Sequence, residues 1–403
     1  MPATQVHDVV IIGAGAAGLM CAARAAYRGL RILVLDHADR PGKKILMSGG
    51  GRCNFTNTAC GPDRFLGDNP AFCISALKRY SPWDFIELVD RHGLEYVEKA
   101  PGQLFCRNSA KDLLNILLTE CDWAGAEIRT RTRIDRIDTQ GEGFTLKTSA
   151  GPIDCGAVVV ATGGLSIPTM GATGFGYDIA RQFGLAVRPT RAGLVPFTLP
   201  PPLKARLAPL SGIATDVRVS CHEASFHEPM LITHRGLSGP AMLQISSYWQ
   251  PGDELRVDLL PQAGGAEAVS ASLKAQQAAH PKAGLGRWLG THFPRRLADE
   301  LTGWQGSHGP IASGLGDWRH AGFEAVARAL TDWRITPAGT EGYRTAEVTL
   351  GGVDTRQVSS KDFSARDLPG LRFIGEVLDV TGQLGGHNFQ WAWSSAVCCA
   401  ETL

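Results

Sequence analysis

Gly13, Gly15 and Gly18 form the pattern G-x-G-x-x-G inside DVVIIGAGAAGLMCAARAAYRGLRILVLD, residues 8 to 36. The first glycine allows a tight turn, the second lets a diphosphate rest on bare backbone N–H groups at a helix N-terminus, and the third lets that helix close on the preceding strand. Asp36 ends the next apolar run, where its carboxylate can accept hydrogen bonds from an adenosine ribose. A second stretch asks for a similar partner. SGGGRCNFTN, residues 48 to 57, sets three glycines in a row before Arg52, Asn54, Thr56 and Asn57. Backbone without side chains can pass close to a large anionic group, and Lys43, Lys44 and Arg52 can meet that group with charge.

Such groups act only if rigid elements hold them. Val9 to Ile12 are β-branched without interruption, the pattern of a strand buried on both faces of a parallel sheet. A helix of small residues is predicted from about Ala16 to Arg28, stopped by Gly29, with RILVLD returning to the sheet. The stretch from there through residue 60 reads as loop-rich and basic. Apolar residues recur at helical spacing from Pro82 to Gly93 and from Ser109 to Trp123, with Ser109 as N-cap. A further buried run ends in Ala161, Thr162, Gly163 and Gly164. Strand-rich sequence follows, and from about Gly264 to Leu330 the texture changes to Ala, Leu, Gln and Arg at helical spacing. After about Ala346 the first texture returns in FIGEVLD, with Gly375, Glu376 and Asp379, and Gly385 and Gly386 open a last helix. A chain that opens and closes in one α/β unit predicts a discontinuous nucleotide-binding domain.

Composition narrows the classes. The 403 residues carry 40 Lys and Arg against 39 Asp and Glu, so no net field favours nucleic acid or an anionic membrane, and either partner would need a local patch. Ten cysteines show no C-x-x-C, which points to reduced thiols packed as small hydrophobes rather than a metal site, a redox dithiol or a disulfide framework. Cys53 is the one that invites a redox reading. The apolar run from Val9 to Ala26 is interrupted by three glycines and Arg24, so it reads as core rather than leader or membrane span, and a cytoplasmic protein is expected. No Walker-type loop or Ser-His-Asp order is present.

The glycine fingerprint does not separate NAD from FAD. An extended FAD needs partners far from its adenosine end, and the glycine turns at 161–164, 375–379 and 385–386 are placed to supply them. A plain NAD dehydrogenase remains the alternative on these residues.

Together IIGAGAAGL, KKILMSGGGRCNFTN, THRGLSGPAMLQIS, TLGGVD and GEVLDVTGQLGGHNFQWAWSSA resemble the HI0933-like flavoproteins, predicted NAD(P)/FAD-dependent oxidoreductases of the YhiN and BaiN type. The likeness covers most of the chain and is poorest from about 262 to 335. It implies an α/β fold: a Rossmann-like, two-dinucleotide-binding-type FAD domain with an inserted β-rich subdomain and a small helical subdomain. The expected boundaries are 1–188 and 336–403 for the FAD domain, 189–262 for the β-rich insert and 263–335 for the helices. Asp36 stands where a glutamate is frequent in the family, and His387 where tyrosine is usual. The expected FAD contacts are Gly13, Gly15, Ala16, Ala17, Gly18, Asp36, His37, Lys43, Lys44, Ser48, Gly49, Gly50, Gly51, Arg52, Cys53, Asn54, Ala161, Thr162, Gly163, Gly164, Gly375, Glu376, Asp379, Gly385, Gly386, His387 and Asn388.

Arg52 and His387 are the catalytic candidates, the second as a proton donor beside a helix N-terminus that favours negative charge on reduced flavin. His234 and Arg235 could line a substrate pocket or form a surface turn. The expected activity is hydride transfer through FAD from NAD(P)H, or from an organic donor, to a small organic acceptor, with neither nucleic acid nor membrane as partner. A flavin monooxygenase and a non-enzymatic flavin redox sensor stay open beside it.

Overall fold

The computed structural model describes residues 7–304 and 314–403; residues 305–313, within the expected helical stretch, lie outside it. The chain divides into two compact units, one of residues 7–192 and 347–403 and one of 193–346.

The first unit is organised by a mainly parallel sheet. Its strands run in the order Ser364–Ala365, Leu368–Phe373, Gly151–Val160, His7–Ile12, Ile32–Leu35, Glu127–Arg129, and an antiparallel hairpin of Ile134–Gln140 and Gly143–Thr148 extends Gly151–Val160. The β-branched run at Val9–Ile12 sits in the middle, with Val9 opposite both Ile32 and Ala157, and it is buried on both sides as its composition requires. The small-residue helix spans Ala16–Ala26 and packs against the terminal helix, His387–Ala400; alanines on the first let the two axes approach. Other predicted helices appear at Pro82–Arg91 and at Ala110–Ala124, where the Ser109 hydroxyl accepts from the Lys111 N–H at 3.2 Å.

The basic stretch after the second strand is more ordered than its composition suggests. Lys43–Gly51 begins as a helix, breaks at Ser48, and continues through Gly49, Gly50 and Gly51 at φ of 55°, 66° and 81°. Asn54–Asn57 is then a strand, paired antiparallel with Gln103–Cys106. The three glycines conceal a helix because they end it in left-handed geometry.

In the second unit a seven-stranded sheet includes the long hairpin of Ala214–Cys221 and Ala224–Ile232. Helices such as Ala266–Ala279 and His320–Thr331 share its apolar core, with Val219, Val257, Leu273, Phe323 and Leu330 fully or almost fully buried.

Candidate dinucleotide site

The carboxyl ends of the central strands are stitched together by backbone hydrogen bonds. Gly13 N donates to Leu35 O at 2.8 Å, Ala161 N to Ile12 O at 2.9 Å, and Ile374 N to Val160 O at 3.0 Å. From His7–Ile12 the chain turns to Ile32–Leu35 on one side, while Gly151–Val160 lies on the other. A crevice outside this reversal of strand order is where open α/β sheets hold nucleotides.

The glycines divide by what a side chain would meet there. A Cβ on Gly13, at φ 109°, would lie 2.5 Å from Ala161 O, and one on Gly18 would fall on the Gly13 carbonyl. Both are packing glycines. A Cβ on Gly15 would find nothing within 4 Å, although Gly15 is the N-cap of an eleven-residue helix. Bare backbone facing open space at a helix N-terminus fits a diphosphate. Gly50, left-handed and equally open, is bare backbone as well, but at the end of a helix rather than at its start.

Asp36 is fixed by the glycine turn and by its own loop. Its Oδ2 accepts from Ala14 N and its Oδ1 from Ala38 N, each at 2.8 Å, and His37 Nδ1 lies 3.7 Å from Oδ1. Each oxygen keeps a second lone pair for a ribose hydroxyl. The lysines are also engaged within the chain. Lys43 Nζ is 2.6 Å from Asp39, and Lys44 Nζ donates to Glu376 Oε2 at 2.8 Å and Ser166 Oγ at 2.6 Å. Glu376 Oε1 accepts from Thr349 N at 2.9 Å, beside Gly163 and Gly164. Among the described residues Arg52, exposed at the end of the glycine segment, is in no ion pair.

The polar residues after Arg52 hold the chain's other end. Asn57 Nδ2 donates to Gly385 O at 2.7 Å; the Asn54 carboxamide, oriented to satisfy both its ends, donates to the Leu104 and Thr56 carbonyls and accepts from Gly386 N. Thr56 Oγ1 donates to Gln390 Oε1 at 2.6 Å, and Trp393 Nε1 to Phe55 O at 2.8 Å. The turn at Gly385 and Gly386, at φ 118° and 95°, is thereby clamped ahead of His387. Asn388 is spent on Gly382, bonding its N and O at 2.8 Å each. Asp379 accepts from Asp68 N at 2.9 Å, and burial pushes its carboxyl above the usual range. Gly375, at φ 71°, approaches helix Ala16–Ala26 at Ala17 and receives the Trp391 indole N–H at 3.1 Å.

Burial holds His387 at about 4, so it is neutral at pH 7, and among the described residues its buried Nδ1 has no hydrogen-bond partner. Phe65 meets the ring edge-on at 6.2 Å. An orphaned polar atom at a helix start fits a polar group held there. Cys53, at φ 40°, is fully buried; Ser48, whose carbonyl accepts the Cys53 N–H at 3.0 Å, sits across the turn, and burial raises the thiol far above its ordinary range. That environment suits a packed thiol, not a nucleophile. Arg235 is paired with Glu341 at 3.1 Å within the second unit, and His234 is exposed.

Sequence reasoning passed over Ser166, Thr349, Gln103 and Gln390. Only Gln390 carried a signal, as a long amide between the aromatic residues of the terminal helix.

The comparisons with known proteins bear on the family and on the expected substrate class. A protein of Escherichia coli (strain K12) named ribosomal RNA dihydrouridine synthase is 51% identical over 98% of both chains. Its namesake from Haemophilus influenzae is 47% identical over 99% of both. The crystal structure of a 3-ketosteroid-delta4-(5alpha)-dehydrogenase from Rhodococcus jostii RHA1 shares the fold, with a TM-score of 0.50 at 16% identity over 98% of this chain and 97% of that one. The two sequence matches overturn the expectation of a small organic acceptor and of no nucleic-acid partner. That expectation leaned on a net charge of +1, and net charge averages over a surface on which RNA needs only a local patch. No helix among the described residues is long and apolar enough to cross a membrane. With the HI0933-like protein Rossmann domain matching residues 7–402, the chain belongs to the HI0933-like family of flavoproteins.

Proposed function

We propose that this protein is a flavin-dependent enzyme that reduces a uridine of ribosomal RNA to dihydrouridine. The observation carrying this reading is the 51% identity, along 98% of both chains, to a protein named for that activity. The uracil C5=C6 bond is conjugated with the C4 carbonyl, so reduction adds hydride at C6 and a proton at C5 while charge builds transiently toward O4. FAD, when bound, supplies the hydride, and a nicotinamide nucleotide is the proposed source of its electrons.

This chain's own part is binding, positioning and electrostatics. Gly15 and the helix behind it would hold the diphosphate, with Asp36 on the ribose. Asn54 and Asn57 act at one remove, by fixing the Gly385–Gly386 turn, so that the N-terminal end of the fourteen-residue terminal helix faces developing negative charge. His387 would donate a hydrogen bond as a neutral imidazole rather than carry positive charge. Lys44 and Glu376 neutralise one another, whereas Arg52, in no ion pair among the described residues, is a free cation for an RNA phosphate or a uracil carbonyl.

The test is a half-reaction. Protein reduced without oxygen and mixed with unmodified ribosomal RNA regains the oxidised flavin spectrum; the same RNA previously saturated at its target uridine leaves the spectrum bleached. Reoxidation that ignores the state of the RNA contradicts the reading. The Arg52→Ala variant should lose RNA-dependent reoxidation while retaining its flavin.

A further inference from the structure

Four helices end around a groove of about 590 Å³ in the first unit, the terminal helix His387–Ala400 bringing Glu401. Ala16–Ala26 brings Arg24, Tyr27 and Arg28, Pro82–Arg91 brings Arg91, and Ala110–Ala124 brings Trp123. The groove lies at the far end of the helix that starts at Gly15, about 16 Å along its axis at 1.5 Å per residue, and so is separate from the dinucleotide crevice. We infer that it docks a single-stranded segment of RNA, with a base stacked on Trp123 and phosphates held by the arginines. The inference rests on the reading of ribosomal RNA as substrate.

The chemistry of the lining carries it. Trp123 is 66% exposed and Tyr27 51%, although burying either ring would be favourable, and both face the same groove. Trp123 is already oriented, lying near-parallel to the His92 ring at 17° with centroids 5.3 Å apart. Exposed aromatic rings flanked by guanidinium groups are the combination that grips single strands, because every base offers a π-face and every link a phosphate. Among the described residues neither Arg24 nor Arg91 is in an ion pair with a carboxylate. Arg24 lies over the Tyr80 ring at 5.7 Å, and Arg28 donates to the main-chain oxygens of Ala400 and Leu403. Two carboxylates share the lining. Glu120 is bonded to His92 Nε2 at 2.6 Å, and Glu401 stands at the groove wall.

The experiment uses the flavin-loaded full chain, a fluorescent single-stranded oligouridine and an unmodified ribosomal RNA transcript. Trp123→Ala should weaken oligonucleotide binding about tenfold, and Trp123→Phe should restore most of it. Arg91→Ala should reduce the slope of log K against log salt by about 0.7. With the transcript both variants should raise KM and leave kcat, flavin spectrum and melting temperature unchanged. Parental affinity, salt slope and KM in both Trp123→Ala and Arg91→Ala would overturn the inference. So would variants that bind naked RNA normally but lose activity only on particles carrying ribosomal proteins, since the groove would then take a protein. If the parent chain reduces no ribosomal uridine yet binds the oligonucleotide through Trp123, the assigned activity fails and the groove stands.

Discussion

Replacing Gly15 and Gly18 separately by alanine should produce two different defects, although both belong to one fingerprint. At Gly18 the added methyl would fall on the Gly13 carbonyl oxygen and lie 3.1 Å from its carbon, and backbone cannot swing aside as a side chain can. Overpacking of this kind costs about 1–3 kcal/mol of folding stability. At Gly15 the backbone has φ −88° and ψ −167°, which alanine adopts freely, and the methyl meets no protein atom within 4 Å. Gly15→Ala should therefore leave apo-protein stability within about 0.5 kcal/mol of the parent. What it removes is the approach of a diphosphate to the N–H groups of helix Ala16–Ala26. Losing one hydrogen bond to a charged group, about 1.5–3 kcal/mol, weakens FAD binding about ten- to a hundredfold. Urea unfolding of the apo-proteins and quenching of FAD fluorescence on titration separate the effects. A Gly15→Ala protein that binds FAD as the parent does, or unfolds as readily as Gly18→Ala, would refute the assignment.

Other consequences follow from the same contacts. Because His387 is held at about 4 while an unfolded histidine sits near 6.5, the unfolded chain binds the extra proton between these values. Its share of stability is therefore present above pH 6.5 and lost as pH falls toward 4, by about 3 kcal/mol, and His387→Gln should flatten that part of the apo-protein's stability–pH curve. Trp393→Phe strands the buried Phe55 carbonyl and should cost about 1–3 kcal/mol in urea unfolding. The native protein should react slowly with thiol reagents at pH 8, because burial pushes even the partly exposed Cys60 to about 12, and all ten thiols should react at once in denaturant.

Features that depend on local pattern were legible in the residues. The turn at Gly13, Gly15 and Gly18 and the central strand follow from short spacings and β-branching, as does the N-cap at Ser109. Partnerships between distant segments were not. Lys44 and Glu376 are 332 positions apart, and nothing near either predicts that each is the other's counter-charge. Asn54 and Asn57 read as ligand-gripping groups because loop amides usually serve that purpose, yet the structure uses them to clamp a turn more than 320 residues onward. The helix in Lys43–Gly51 was hidden by the glycines that terminate it. Trp123 read as one more apolar position at helical spacing, and only the fold gathers it with Arg91 and Arg24 from two other helices. The expectation of no nucleic-acid partner failed for a related reason, since a balanced total charge carries no information about where the arginines meet.

The central claim is tested most directly by mass spectrometry of ribosomal RNA nucleosides. Unmodified RNA incubated with the purified, FAD-loaded protein and a nicotinamide nucleotide should gain dihydrouridine at a defined uridine, and a flavin-free Gly15→Ala preparation should form none. An RNA unchanged by protein whose flavin is demonstrably reduced would contradict the account.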